Sequence, residues 1–320
     1  MPPNLPPLVP KVAVLMATYN GAAHISTQIA SVLWQLGVQV DVYIRDDGST
    51  DRTVAEALEA FPGSPLHVIN DHRSSSAFTE RGPALNFYHL IASERVLAAS
   101  YQWIAFADQD DIWLPAKLHS AISDCQQSGS AAWSSSILAF WEAIGKTAFI
   151  PKHGNASGIN FLFESPGPGC TILLRSDVFE SLQCFVRANF ANLRSIEFHD
   201  WLIYGFVVQK YGSWFISSKV SMLYRQHGHN VAGAGMSFAQ LSKKLSLVSS
   251  GWYREQVLLL SALFCMDQHP TIALLRRMNF WDRICLPFVL WPHRRRVKDK
   301  LLLLFVLPFS SDRLSADREY

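Results

Sequence analysis

Three apolar runs in the first third of the chain each end in a cluster of polar residues, and this repetition restricts the fold more than any other feature. Val12 to Ala17 leads into Thr18-Tyr19-Asn20, Val40 to Arg45 into Asp46-Asp47-Gly48-Ser49, and Trp103 to Ala107 into Asp108-Gln109-Asp110-Asp111. In an open α/β sheet, ligands bind outside the carboxyl ends of the strands, so three polar strand ends imply one shared site. Carboxylates that are adjacent or one residue apart at the mouth of a buried strand are costly unless a cation neutralises them. Hard oxygen donors of this kind suit Mg²⁺ or Mn²⁺, ions that commonly serve phosphate-bearing substrates. The residues alone thus point to a metal-assisted enzyme acting on a nucleotide or diphosphate.

The pattern between these runs sets the architecture. Ile25, Ile29, Val32, Leu33 and Leu36 share one helical face, which Gly37 ends. A strand over Val40 to Ile44 follows, then a helix over Thr53 to Ala60, a strand over Leu66 to Ile69, a helix over Ala84 to Ala98 and the strand before Asp108. This alternation predicts an α/β fold with a doubly wound, mostly parallel sheet. Further on, a helix is expected near Pro115, strands over Ala131 to Phe140 and Cys170 to Leu174, a helix from His199 to Lys210, and one or two strands over Trp214 to Tyr224. The segment Glu164 to Gly169 is rich in Pro and Gly. It is either a surface turn or a place where backbone comes close to a ligand. From Ser237 onward the chain reads as helical, amphipathic and increasingly basic.

Charge is informative only when divided along the chain. Of 28 Lys/Arg and 26 Asp/Glu, residues 273–320 hold ten and five, so the tail carries +5 and the remainder −3. A basic tail on a mildly acidic body favours an anionic surface such as membrane lipid over nucleic acid, since no basic patch flanks the acidic cluster. Five cysteines with no CxxC pair read as reduced thiols, which suits a cytoplasmic protein. Met1 to Pro10, with no basic or apolar stretch, reads as a disordered leader rather than a signal peptide. No apolar run reaches the roughly 18–20 residues of a membrane span.

Taken in order, Met16 to Gly21, Asp46 to Asp51 and Asp108 to Trp113 resemble the family 2 glycosyltransferases of the GT-A fold. Gln109, the Gly82…Asn86-Phe87 segment, His199-Asp200-Trp201 and Tyr224-Arg225-Gln226-His227 are similar to the branch that includes bacterial rhamnosyltransferases. The resemblance covers residues 11–232, expected as the catalytic domain, with 233–320 as a helical extension. It implies that Thr18, Tyr19 and Asn20 hold the nucleotide, with Asp47 and Asp46 accepting a base N–H, as the N3–H of uracil or thymine requires. The alternative for Asp46 to Ser49 is a turn that caps the next helix.

The acidic cluster resembles the family's DxD signature. The resemblance assigns Asp111 to the metal, Asp110 to the ribose or metal, and Asp108 to support. Asp200 falls where the family carries the base of an inverting transfer, although a carboxylate there also suits a helix N-terminus. Neighbouring His199 either orients that base or packs in the core. Arg225 and His227 are implied at the diphosphate or metal, or else form a polar loop. Gly167, Gly169 and Cys170, with Trp201, match the loop under donor sugar and acceptor, and Cys170 is expected to pack rather than react. Arg73 or Arg81 in the loop from Asp71 stays open as a phosphate contact.

The resemblance implies transfer of a sugar, rhamnose in this branch, from UDP or dTDP to a hydroxyl of a surface polysaccharide or lipid-linked glycan. The tail mixes Leu286, Phe288, Val289, Leu290 and Trp291 with Arg294 to Arg296, as segments in a membrane interface do. The other reading is that these helices pack over the catalytic domain. Peripheral association with the inner face of the cell membrane is the expectation that fits a lipid-linked acceptor. Two rival functions use the same features: a sugar nucleotidyltransferase, and an inactive membrane-associated nucleotide-sugar binder. Thr18 to Ala23 lacks the basic residue the first usually carries, and intact Asp110, Asp111 and Asp200 argue against the second.

Overall fold

A computed structural model describes residues 9–69, 82–153, 158–226, 250–295, 300, 301 and 304. Most of the expected leader, the loop holding Arg73 and Arg81, and His227 lie outside the described residues. The first strand shows why two faces form. Along β1 (Lys11–Thr18), Ala13 and Leu15 point into one core while Val12, Val14 and Met16 point into another. In β4 (Trp103–Ala107), Ile104 and Phe106 likewise face the first core, and Trp103, Ala105 and Ala107 the second. Strands buried on both faces need helices on both sides.

Those helices are α1 (Ile25–Leu33), α2 (Thr53–Ala60) and α4 (Lys117–Ser128) on one face and α3 (Pro83–Ala92) on the other. Helix α1 stops before Leu36, which is exposed rather than on the buried stripe the periodicity predicts, because the Leu36 amide turns out to bond the Pro115 carbonyl. Helix α3 also ends six residues early, at Ala92 rather than Ala98.

The sheet runs β3 (Leu66–Val68), β2 (Gln39–Asp46), β1, β4, β8 (Leu173–Arg175), β6 (Ala132–Trp141), β9 (Phe215–Arg225), β5 (Ile112–Trp113). The half from β3 to β4 is parallel, as expected, whereas β8 joins β4 and β6 antiparallel and β9 pairs β6 in parallel. Strand β7 (Lys146–Ile150) forms a hairpin on β6. Helices α5 (Ser176–Leu193) and α6 (His199–Tyr211) cover the α3 face, and the latter lies within one residue of its expected span. Among the described residues, three C-terminal helices complete that layer: α7 (Trp252–Leu263), α8 (Pro270–Arg277) and α9 (Phe280–Leu290). Val257, Leu260, Ile272, Leu275, Leu286 and Leu290 are fully buried in the same core as Phe87 and Phe106.

Candidate active site

The strand ends are stitched together by side chains. Thr18, buried at the end of β1, donates its hydroxyl to Asp46 Oδ1 at 2.8 Å. Asp46 also accepts from the Ser49 amide at 2.7 Å and hydroxyl at 2.6 Å and from the Gly48 amide at 3.2 Å. With both oxygens engaged, Asp46 holds the turn. Among the described residues Asp47 accepts only long bonds, from Arg45 at 3.4 Å and from the Gly82 amide at 3.3 Å, so within that set it is the freer of the pair for a base. Asn20 sits at φ +48°, a left-handed conformation that Asn tolerates, and its side-chain oxygen accepts the Thr50 amide at 2.8 Å. Tyr19 is left half-exposed as an open aromatic face.

Two further residues organise these ends. Gln109 accepts the Tyr19 amide at 2.9 Å and donates to the Tyr19 carbonyl at 2.8 Å, so the acidic cluster is tied to the end of β1. A Cβ on Gly21 would lie 2.1 Å from the Gln109 oxygen. Buried Asn86 donates to the Thr18 and Arg45 carbonyls, each at 3.2 Å, and accepts from Arg45 at 2.8 Å.

The acidic cluster brings Asp108, Asp111 and the Cys170 thiol within 4.8 Å of one another. Asp111 Oδ1 accepts the Arg225 amide at 3.1 Å, whereas Oδ2 is buried with no hydrogen-bond partner among the described residues, the Cys170 thiol lying against the carboxyl. Burial pushes the Asp108 carboxyl up to about 7, helped by the Asp110 charge, and holds Asp111 well above the carboxylate range, with Asp108 and Asp110 adding repulsion. An orphaned buried oxygen and mutual repulsion are what a divalent cation relieves, so Asp108 and Asp111 fit a Mg²⁺ or Mn²⁺ site. Cys170 therefore lines the acidic cluster besides packing, with its thiol held well above its usual range by burial.

Lys117 is the functional neighbour that sequence reading did not single out. It lies buried below the cluster, donates to the Cys170 carbonyl at 2.5 Å and sits 3.3 Å from the Trp113 ring centre, and burial lowers its ammonium to about 7. Its only signal is a lone Lys between Leu114 and Leu118 at a helix start. Arg225 is also committed: its Nε donates to the Asp110 carbonyl at 2.8 Å, its guanidinium pairs with Glu142, and it lies 4.7 Å from the Phe140 ring centre. It thus ties β9 to the acidic cluster.

Asp200 lies in the first turn of α6, where Phe198 is the N-cap and makes no side-chain cap bond. Its Oδ1 accepts the Trp201 amide at 2.9 Å. Burial raises it to about 6, against the Ser165 hydroxyl, the Trp201 amide and Lys152, which favour the charged form. Its charge is felt at Asp108, so base candidate and acidic cluster share one neighbourhood. His199 packs instead of pairing with it. The ring stacks on Phe87 at 3.9 Å, closes on Gly169, where a Cβ would meet Nε2 at 2.1 Å, and is held neutral by burial down to about 3. Trp201 donates to the Phe161 carbonyl at 2.8 Å and stacks on Tyr253, a core role. Gly167 (φ +145°) lies in the loop over β6, whose Ser134 hydroxyl donates to the Pro166 carbonyl at 3.2 Å.

The C-terminal residues reach this loop. Arg295 pairs with Glu164 and donates to the Ser165 carbonyl at 2.6 Å, Arg294 donates to the Phe163 carbonyl, and Tyr253 donates to the same carbonyl at 2.8 Å. Both guanidinium side chains are largely buried, 12% and 7% exposed, so these two members of the basic run face inward rather than toward a membrane.

Residues 13–146 match the model of the family described as glycosyl transferase family 2. Over 292 residues the chain is 33% identical to RfbG, a dTDP-rhamnosyl transferase of Shigella flexneri, covering 91% of this chain and 98% of that one. Among solved structures, the Pyrobaculum calidifontis mannosyltransferase PcManGT in complex with GDP-Man and Mn²⁺ superposes with a TM-score of 0.54 at 14% identity, covering 90% of this chain and 73% of that one. Residues 1–349 of S. aureus TarS in complex with UDP-GlcNAc give a TM-score of 0.51 at 14% identity, covering 88% and 80%. The chain belongs to glycosyltransferase family 2, and its fold is GT-A.

Proposed function

We propose that this enzyme transfers a sugar, rhamnose in the best-supported reading, from a nucleoside diphosphate to a hydroxyl of a surface polysaccharide or lipid-linked oligosaccharide, with inversion at the anomeric carbon. The observation that carries the reading is that Asp200, a buried carboxylate raised to about 6, shares its neighbourhood with an acidic cluster in which a buried Asp111 oxygen has no partner among the described residues. The likeness to a dTDP-rhamnosyl transferase over nearly the whole chain supports a dTDP-linked donor, with UDP the other nucleotide the family resemblance implies.

Tyr19 would stack on the base and Asp47 would accept its N3–H, while Asp46, Asn20 and Gln109 keep both loops in place. Asp111 and Asp108 would hold Mg²⁺ or Mn²⁺, with Asp110 toward the ribose or the same ion. When bound, that cation supplies neutralisation of the charge on the departing diphosphate. Asp200 takes the proton of the acceptor hydroxyl as its oxygen bonds to the anomeric carbon, and the bond from that carbon to the diphosphate oxygen breaks with its electron pair. A base near 6 is ionised at neutral pH yet basic enough to accept a proton. The loop Glu164 to Cys170, with Ser165 against Asp200, would form the floor for donor sugar and acceptor. His227 remains a candidate ligand of the same ion. A lipid-linked acceptor would place the enzyme at the inner face of the cell membrane, and no described helix is long and apolar enough to cross one.

Incubation with dTDP-rhamnose, UDP-sugars and Mn²⁺ tests the reading. Release of nucleoside diphosphate with a product of inverted anomeric configuration is expected. Pyrophosphate release instead would mark a nucleotidyltransferase, and binding without turnover an inactive site.

A further inference from the structure

Helix α9 has two faces with opposite fates. Leu286 and Leu290 are fully buried, and Asp282 is buried under a bidentate pair with Arg277, closing a capping box with Asn279. Phe280, Trp281, Ile284, Phe288 and Trp291 instead face solvent, with Trp281 at 71% and Phe288 at 66% exposure. At 3.6 residues per turn these five positions fall within an arc of about 100°. Large apolar side chains gathered on one side of one helix mark an interaction surface.

The chemistry around the stripe selects the occupant. Asp282 is the single acid in α9, and it is buried. Residues 270–301 carry eight Lys/Arg and two Asp/Glu, and with the inward-facing Arg294 and Arg295 set aside the rest of the segment is +4. Arg276 and Arg277, paired with Asp267 and Asp282 yet 54% and 62% exposed, end the preceding helix, and the Lys300 ammonium lies 5.3 Å from the Trp291 ring centre. Aromatic residues with a basic surround suit the headgroup zone of an anionic bilayer. The chain also leaves α9 directly for Arg294 and Arg295, which grip Glu164 and Ser165 beside Asp200. A surface that held α9 would therefore hold the Glu164 to Cys170 loop, beside Asp200, near it.

We infer that the outer face of α9 docks the enzyme on an anionic membrane surface, with Phe280, Trp281, Ile284, Phe288 and Trp291 in the interface. Packing and membrane contact are thus the work of opposite faces of one helix. This deepens the reading of a lipid-linked acceptor, but vesicle binding requires no sugar transfer, so the two can fail separately.

The test is flotation of the full chain with vesicles of phosphatidylglycerol and phosphatidylcholine, alongside Trp281→Glu/Phe288→Glu and the milder Trp281→Ser/Phe288→Ser. Wild type is expected to float with the anionic vesicles and less with pure phosphatidylcholine. The glutamate variant should bind at least about tenfold more weakly, and the serine variant should fall between, since both apolar contact and charge contribute. Both variants should keep the wild-type melting temperature. Wild type that fails to float, or a glutamate variant that floats equally well, overturns the proposal. So does a wild-type dimer, seen by light scattering, that the substitutions dissociate without altering flotation. Loss of a UDP-plus-Mn²⁺ melting shift in wild type would count against the donor site and leave the vesicle result standing.

Discussion

Asp111 and Asp200 are both carboxyl groups raised by burial, and they predict different behaviour because their neighbours differ. A carboxyl whose folded value lies above its unfolded one makes the native state bind more protons, so stability falls as pH rises past the unfolded value near 4. For Asp111, with Asp108 and Asp110 adding repulsion, this penalty persists at neutral pH without a cation. Asp111→Asn keeps an acceptor for the Arg225 amide and removes the charge. It should raise the melting temperature of the metal-free protein at pH 7 and abolish the further rise that Mn²⁺ gives with UDP or dTDP. An unchanged Mn²⁺ shift in a thermal titration would place the ion elsewhere. For Asp200, raised to about 6, the penalty develops between about 4 and 6 and is complete at neutral pH. As a base it works only when ionised, so turnover should fall as pH drops through 6. Asp200→Asn should retain donor binding and lose no stability at neutral pH, where it relieves the burial penalty, while lowering turnover by about 10²-fold or more. Near-normal turnover in a rate–pH series would return Asp200 to a helix-end role. Glu197, the next carboxylate along the chain, accepts the Trp252 indole N–H at 2.7 Å and is less free to replace it.

At the scale of elements, legibility followed periodicity and length. The three strands whose ends build the site, β1, β2 and β4, were readable because a buried run gives way abruptly to polar residues. Helix α6 was readable from His199 for the same reason. Strand β5 has two residues and β7 is mostly exposed, so neither carries a pattern of its own. Helix α5 is different: Val178, Phe179, Leu182 and Val186 repeat at helical spacing, a signal present in residues to which the sequence reading assigned no element. The loop over the site was legible as a Pro/Gly-rich turn near a ligand, but what holds it was not, because its supports come from afar. Glu164 is held by Arg295 and Asn160, and the Arg295 bond spans 131 residues. Breaking a buried pair by removing one partner typically costs about 3–5 kcal/mol, since the remaining charge stays unpaired. Glu164→Ala should therefore lower the melting temperature and reduce transfer, through displacement of Ser165 from Asp200, more than it reduces the UDP-induced melting shift. Equal losses of transfer and nucleotide binding in a side-by-side assay would mean that the Glu164–Arg295 pair supports the whole site rather than its acceptor side.

For the whole molecule, the family resemblance was legible over residues 11–232 because short motifs recur at strand ends, whereas the role of the C-terminal helices was not. Their apolar residues suit a membrane surface and a protein core alike, and composition does not distinguish the two. Tertiary contact does. Trp252, Tyr253, Val257, Leu260, Ile272, Leu275, Leu286 and Leu290 enter the core that also holds Phe87, Phe106 and Trp201. Fully burying a side chain of this size contributes about 1.5–3 kcal/mol, so these eight together supply at least about 12 kcal/mol of apolar stabilisation. That is comparable to the whole net stability of an ordinary domain, about 5–15 kcal/mol. Two polar ties add to it: Gln256 donates to the Ser195 carbonyl at 2.9 Å, and its side-chain oxygen accepts the Glu197 amide at 3.0 Å, just ahead of α6 and Asp200. A chain ending at residue 250 is therefore expected to aggregate or to unfold at far lower urea than the full chain, and to lose the UDP-plus-Mn²⁺ melting shift. Substitutions on the outer stripe of α9 should do neither. A truncated chain that stays monodisperse in size-exclusion chromatography and still binds nucleotide would show that residues 9–226 fold by themselves, with the C-terminal helices an accessory layer.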